Sequence, residues 1–355
     1  MAGYREARLY AYSNARVKAM ESKLIPRSTM DELAKLDSIE PILARLLQTS
    51  YSKSIEEYGG AQIRGELVDF ALSSDLAKSL YKLERVTPAP KKKLILLFIS
   101  KFEISNVKLM LDAKAKQRRF EDIERYLVET GHMSKALMRD AFQGERDVES
   151  LAAKMARSMP YKELLSRAMS AYGRSKDVLE AENEIDKQFY EMLSGSSSLL
   201  WKTSPEAAKL IKNEIEMKNM LTLLRAKRYG LTEQEVASAF IGNGITSGTG
   251  LMALFRSSKG VDDLATSVKS FDLKEALRLY QQSKGTQMLR FEIAMRNSLF
   301  RMAMHLLRHS VLSFGTLAGY AYIKEMEVFA LRTLVEGKQH GLSSAEVGEL
   351  ITWNK

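Results

Sequence analysis

Three glutamates recur at nearly equal intervals along this 355-residue chain, each followed by Asn or Ala after three residues and by Lys after eleven. The first copy runs from Glu103-Ile104-Ser105-Asn106 to Lys114, the second from Glu216-Met217-Lys218-Asn219 to Lys227, and the third from Glu327-Val328-Phe329-Ala330 to Lys338. A carboxylate can shuttle protons, ligate a metal or pair with a cation. Catalytic carboxylates work in one asymmetric pocket, so a glutamate triplicated on an amphipathic helix is read here as an ion-pairing or capping position. Self-similarity at a fixed period outranks a local motif as evidence of architecture. The lysines lie 113 and 111 residues apart, so the period nearly fills the chain when it is cut in three.

The remaining reactive residue types do not assemble into an active site. The glycine-rich stretch Ile241–Gly250 lacks the Gly-Lys-Ser/Thr ending of a phosphate-binding P-loop and follows no strand-like segment, so it reads as a surface loop. His305 and His309 have a metal-compatible helical spacing, but no Glu stands between them and Arg308 would repel a cation. No Gly-x-Ser-x-Gly elbow is present. There are no cysteines, which removes disulfides, thiol nucleophiles and zinc-thiolate sites. The 18 methionines serve as core filler. The expectation is a chain with no catalytic residues, no cofactor and no metal.

The elements that carry the repeated residues read as helices. Ile104, Val107 and Leu111 align with Met217, Met220 and Leu224, and with Val328, Leu331 and Val335, a spacing that lines one helical face. Copies two and three also stop and restart alike. Gly230 and Gly341 end the helix, because glycine adopts left-handed dihedrals cheaply. Thr232 with Glu235 and Ser343 with Glu346 then form capping boxes. Residues 4–24 are expected as a first helix, with Ala7, Ala11, Ala15, Ala19 and Met20 near one stripe, ended by Pro26. The Thr87–Pro90 and Ser194–Ser198 segments break the chain before the first two copies, and Ser204 caps a helix that starts at Pro205. No proline follows Pro205, which permits long uninterrupted helices. The expected fold is all-α, in three pseudo-threefold-related units spanning 1–119, 120–230 and 231–355.

Net charge is +10, and the excess sits in the first unit: residues 1–119 hold 22 basic against 14 acidic groups, 120–230 hold 18 of each, and 231–355 hold 14 against 12. A basic excess suits nucleic acid, anionic lipid or an acidic protein, and is most often only a solvated face. Against nucleic acid, aromatics do not interleave with the basic clusters and no helix-turn-helix or basic-zipper pattern occurs. No stretch approaches the length needed to span a bilayer, and the charged N-terminus offers no secretion-signal core. From these residues alone the chain is a triplicated helical adaptor, with a basic helical-repeat RNA-binding protein, or an enzyme with an unrecognised helical site, as the competing classes.

Tyr12-Ser13-Asn14-Ala15-Arg16-Val17-Lys18-Ala19-Met20-Glu21 resembles the opening helix of the C subunit of archaeal A-type ATP synthases, a relative of the d subunit of eukaryotic V-type ATPases. Asn219–Lys227 resembles that family's internal helix, and Gly319–Glu327 with Leu331–Lys338 its closing signature; Ala330 departs from the usual Asn. The resemblance covers the whole chain. It implies a funnel of three helical units without catalytic residues. Such a funnel sits peripherally at the cytoplasmic face of the membrane and joins the proteolipid ring to the central stalk in proton- or sodium-coupled ATP synthesis. On this view Lys114, Lys227 and Lys338, with Arg225 and Arg332 nearby, form a broken ring of positive charge facing stalk or ring. The alternative is that the lysines only cap their helices.

Overall fold

A computed structural model describes residues 2–59, 65–195, 197–242 and 244–351. Twenty α-helices and two short 3₁₀ turns make up the ordered elements, with no strand among the described residues, as the all-α expectation requires. The first third contains α1 (Ala2–Glu21), α2 (Arg27–Lys35), α3 (Ile39–Leu46), α4 (Ser52–Glu57), α5 (Gly65–Val86) and α6 (Lys92–Ala115). Then come α7 (Phe120–Ile123), α8 (Lys135–Gly144), α9 (Val148–Ser158), α10 (Lys162–Ser175), α11 (Val178–Gly195), α12 (Ser197–Thr203) and α13 (Pro205–Tyr229). The last third holds α14 (Glu233–Ala239), α15 (Gly248–Ser257), α16 (Val261–Ser267), α17 (Lys274–Gln282), α18 (Leu289–His309), α19 (Phe314–Gln339) and α20 (Ser344–Leu350). None of these helices is long and apolar enough to cross a membrane.

The repeated residues lie on α6, α13 and α19, among the longest helices, at 24, 25 and 26 residues. Local chemistry sets their ends. The Ser204 hydroxyl accepts from the Ala207 N–H, Pro205 takes the first helical position, and Gly230 closes α13 at φ 69°. The Thr232–Glu235 and Ser343–Glu346 capping boxes open α14 and α20. All nine aligned apolar residues of the three stripes are buried. The long helices interleave rather than stack in order: α5 packs on α19 and α6, α11 on α6, and α18 on both α13 and α19.

The structure refines three of these readings. The alanine stripe of α1 faces solvent at Ala11, Ala15 and Ala19, because Tyr10, Ser13, Asn14 and Val17 form the buried face instead. Residues 233–282 divide into four short helices despite the absence of proline, cut by polar caps such as Ser247. Within the serine run at 194–198, α11 runs through Gly195 and α12 starts at Ser197, while Ser196, where the expected break would fall, lies outside the described residues.

Candidate functional site

The repeated glutamates are buried acceptors, and the expected ion pairing is found at Glu327, which holds Lys324. Glu103 accepts from the Thr130 hydroxyl (2.7 Å) and the Tyr161 hydroxyl (2.6 Å), and lies 3.1 Å from His132 Nδ1. Glu216 accepts from the backbone N–H groups of Ile245 (3.1 Å) and Thr246 (3.0 Å) and from the Thr246 hydroxyl (2.6 Å). Glu327 accepts from the Ile25 N–H (2.5 Å), the Tyr51 hydroxyl (2.6 Å) and Lys324 Nζ (2.7 Å). A buried carboxylate is tolerable only when its lone pairs are met this fully. The glycine-rich stretch lies at the surface as expected, with Gly242, Ile245, Ser247, Gly248 and Thr249 exposed, but Glu216 anchors it. Its backbone donors at 245 and 246, the groups a phosphate would need, are spent on Glu216, and Gly248–Gly250 already belong to α15; Asn243 lies outside the described residues.

Each repeated asparagine clamps a passing strand of backbone. Asn106 accepts from the Val128 N–H (3.0 Å) and donates to its carbonyl (2.7 Å); Asn219 does the same with Ile241, at 3.0 Å each way. Both clamps reach 22 residues forward. Ala330 has no amide for such a clamp, and its counterpart position, 352, lies outside the described residues.

The lysines all turn toward their own chain. Lys114 Nζ donates to the carbonyls of Phe142 (2.6 Å) and Glu145 (3.0 Å) and sits 4.0 Å above the Phe142 ring; burial pushes its pKa down. Lys227 sits 3.9 Å above the Phe255 ring, again 28 residues ahead. Lys338 is buried and donates to the Ser344 hydroxyl (2.8 Å), which in turn reaches the Lys35 carbonyl and Asp37. Arg225 is exposed and pairs with Glu292 at 3.3 Å. Arg332 lies in a half-buried cluster with Asp69 (3.4 Å) and the Ser73 hydroxyl. The five residues are thus not gathered at one spot. His305 and His309 stack ring on ring at 4.7 Å, and no group of three or more metal-ligating residues forms among the described residues.

The residues that do converge stand two positions before each repeated glutamate: Lys101, Glu214 and Glu325. Lys101 Nζ lies 3.2 Å from Glu214 and 2.6 Å from Glu325, so equivalent positions of α6, α13 and α19 meet at one point. Tyr190 donates to Glu214 (3.0 Å), Tyr322 does so on its other oxygen, and Lys101 stands 4.3 Å above the Tyr322 ring. The side chains retain 17, 12 and 30 % exposure, and that remaining surface faces two clefts of about 220 and 460 Å³ that both reach Arg296 of α18. Burial drives the Lys101 pKa down, but Glu214 and Glu325 outweigh it and the value rises. Burial also drives Glu214 up, and Lys101 with the Tyr322 hydroxyl reverses it to a net fall. For Glu325 burial prevails and the pKa rises. The convergence is signalled in the sequence by a charged residue placed three before Ile104, Met217 and Val328, interrupting each apolar stripe at the same offset.

This arrangement offers shape and cohesion, and its polar groups satisfy one another. The family model described as ATP synthase (C/AC39) subunit matches residues 13–350. The chain is similar to the A-type ATP synthase C subunit of Methanosphaera stadtmanae, 25% identical over 349 residues, 96% of this chain and 87% of that protein. It is similar also to those of Haloquadratum walsbyi, 27% identical over 95% and 96% of the two chains, and Methanocaldococcus jannaschii, 23% identical over 96% and 86%. With the match running through all three copies of the repeated helix, the chain belongs to the ATP synthase (C/AC39) subunit family.

Proposed function

We propose that this chain is the non-catalytic coupling subunit of an A-type ATP synthase, joining the membrane proteolipid ring to the central stalk at the cytoplasmic face, in proton- or sodium-coupled ATP synthesis. One observation carries the proposal. With units at 1–119, 120–230 and 231–355, every repeated glutamate takes partners from the next unit: Glu103 from residues 130 and 161, Glu216 from 245 and 246, and Glu327 from residues 25 and 51. That is a head-to-tail interface that returns to its start, the condition for a closed ring. Lys101, Glu214 and Glu325 supply its central contact. A closed ring suits a rotor adaptor, because it transmits torque around an axis without a free edge that could slip. The satisfied state of its polar groups supports a mechanical rather than a chemical role.

Co-purification tests the proposal. The tagged chain, expressed with the other synthase subunits, is expected to bring down proteolipid and central-stalk subunits together; recovery alone, or with nucleic acid, overturns it. The proposal includes Lys114, Lys227, Lys338, Arg225 and Arg332 as the docking charges. Replacing the three lysines by Gln is expected to weaken assembly and reduce its salt sensitivity, as fewer ion pairs remain to be screened. If that variant melts lower but assembles normally at every salt concentration, the lysines serve the contacts within the chain described above.

A further inference from the structure

A cleft larger than either of those at the three-helix junction lies away from it. It measures about 880 Å³ and sits where the α1–α2 connection, α4, α5 and α19 meet. Seven basic side chains line it against two carboxylates, Glu57 and Asp75. Both carboxylates are already engaged, Glu57 by Lys78 (2.6 Å) and Asp75 by the buried Lys324 (2.7 Å). Arg16, Lys23, Lys53 and Lys82 are exposed on its walls and have no ion-pair partner among the described residues. Six of the seven basic residues and both carboxylates belong to residues 1–119, so the cleft gathers +4 of the +8 surplus of that segment in one concave place. Low-dielectric walls around charges of one sign focus the field into the cleft.

We propose that this cleft binds an acidic segment of a partner protein, one carrying several Asp or Glu side chains. The unpaired cations come from separate elements, α1, the turn after it, α4 and α5, so the cleft presents positive charge from several segments rather than from one. An extended chain with repeated carboxylates meets them one after another. Nucleic acid fits poorly, because Tyr320, the one aromatic ring among the described residues of the walls, is buried and offers no stacking platform. A lipid surface fits poorly as well, because no large exposed apolar side chain among the described residues lines the cleft to enter the acyl region. The cleft lies outside the three-helix junction, although Ile25, Asp75 and Lys324 of its lining also belong to the contact at Glu327.

The test uses the full chain and a fluorescein-labelled decaglutamate peptide, read by anisotropy. Lys53→Glu with Lys82→Glu is expected to weaken binding by about tenfold or more at low salt, and raising the salt is expected to abolish the wild-type signal. The control, Arg228→Glu with Lys269→Glu, carries the same change in net charge on other exposed positions and is expected to stay within about twofold. Equal weakening in both variants overturns the proposal, since only the overall field then attracts the peptide. Tighter binding of inorganic triphosphate, of an oligothymidylate or of phosphatidylglycerol vesicles than of decaglutamate, lost in the same cleft variant, overturns it as well. If the reversed pair melts below wild type, Arg16→Gln with Lys53→Gln and Lys82→Gln replaces it, with weakened binding again expected and undiminished binding refuting the cleft.

Discussion

Replacing Glu325 by Gln, beside the same change at Glu214, separates a partly exposed carboxylate from a buried one that shares its lysine. Both lie within bonding distance of Lys101, at 2.6 and 3.2 Å. For Glu214, burial raises the pKa, but Lys101, Tyr322 and Lys218 pull it below the usual range. For Glu325, burial and the neighbouring charge of Glu214 raise it, and Lys101 and Arg296 do not compensate fully. The signs are then opposite. The depressed group contributes stability that is present above its unfolded pKa and is lost as pH falls through its folded value. The raised group weakens the fold above its folded pKa, and that cost is relieved as pH falls through it.

Breaking a buried pair costs roughly 3–5 kcal/mol, because the survivor is left buried and unpaired. Glu214→Gln belongs at the lower end, since Glu325 still holds Lys101. Lys101→Met belongs at the upper end, since it strands two carboxylates. Unfolding entropy of about 2.1 cal/mol/K per residue, taken over 355 residues, converts these to drops of roughly 4 and 7 °C in Tm. Glu325→Gln removes the carboxylate that burial disfavours, so it is expected within about 1 °C of wild type at about pH 8, and to melt less pH-dependently down to about pH 5. Scanning calorimetry across that range reads all three variants. A Glu325→Gln variant that falls as far as Glu214→Gln, or a Lys101→Met variant that melts with wild type, refutes the asymmetric triad.

Other perturbations test neighbouring parts of the fold. Asn106→Ala and Asn219→Ala each remove two hydrogen bonds to buried backbone and are expected to cost roughly 2–4 kcal/mol, with faster amide hydrogen exchange at Val128 and Ile241 respectively. Asp69, buried beside Arg332 and Arg125, has its pKa pushed up to about 6, chiefly by burial; its ionised form therefore weakens the fold above that pH. Wild type is expected to gain stability relative to Asp69→Asn as pH falls from about 7 to about 5, and a constant difference in Tm across that range contradicts the assignment. A Cβ on Gly319 would stand 2.6 Å from the Leu307 nitrogen and 2.8 Å from the Ala303 carbonyl oxygen, where α18 crosses α19. Gly319→Ala is therefore expected to cost about 1–3 kcal/mol, read as a lower midpoint in urea.

Helix ends are legible in the sequence because capping is decided within a few residues. Ser204, Gly230, Thr232 and Ser343 all perform where their local pattern puts them. The apolar stripes are legible for the same reason, since periodicity alone marks the buried face. The partners of the glutamates are not, because Tyr161 and Tyr51 reach Glu103 and Glu327 from 58 and 276 residues away, and even Thr246 lies 30 residues beyond Glu216, outside any local pattern. The alanines of α1 mislead because alanine marks a helix without marking its inner side. The junction of Lys101, Glu214 and Glu325 does leave a trace in the sequence, a charge that breaks each stripe two residues before the repeated glutamate. Its sign changes from the first copy to the others, and that change obscures the equivalence.

A second difference in charge, Lys324 where the first two copies have Ser100 and Asn213, bears on how the proposed ring closes. The first two glutamates find their partners 27 and 30 residues ahead, in chain that follows directly, so their contacts form with little loop to restrain. The third must find residue 25 across a separation of 302. Loop-closure entropy grows with the logarithm of that distance, which costs the third contact roughly 2 kcal/mol more than the others. At this contact a buried ammonium is added to the hydroxyl donors that all three glutamates have. Lys324 is buried against Glu327, Tyr51 and Asp75, and burial, which pushes its ammonium down, is outweighed by those partners so that its pKa rises. Hydrogen bonds to charged groups are worth about twice neutral ones. A chain that repeats one helical pattern three times therefore does not keep three identical contacts. The contact between the two ends of the chain has the least help from connectivity, and it is there that the repeat trades its asparagine for alanine and gains a buried ion pair.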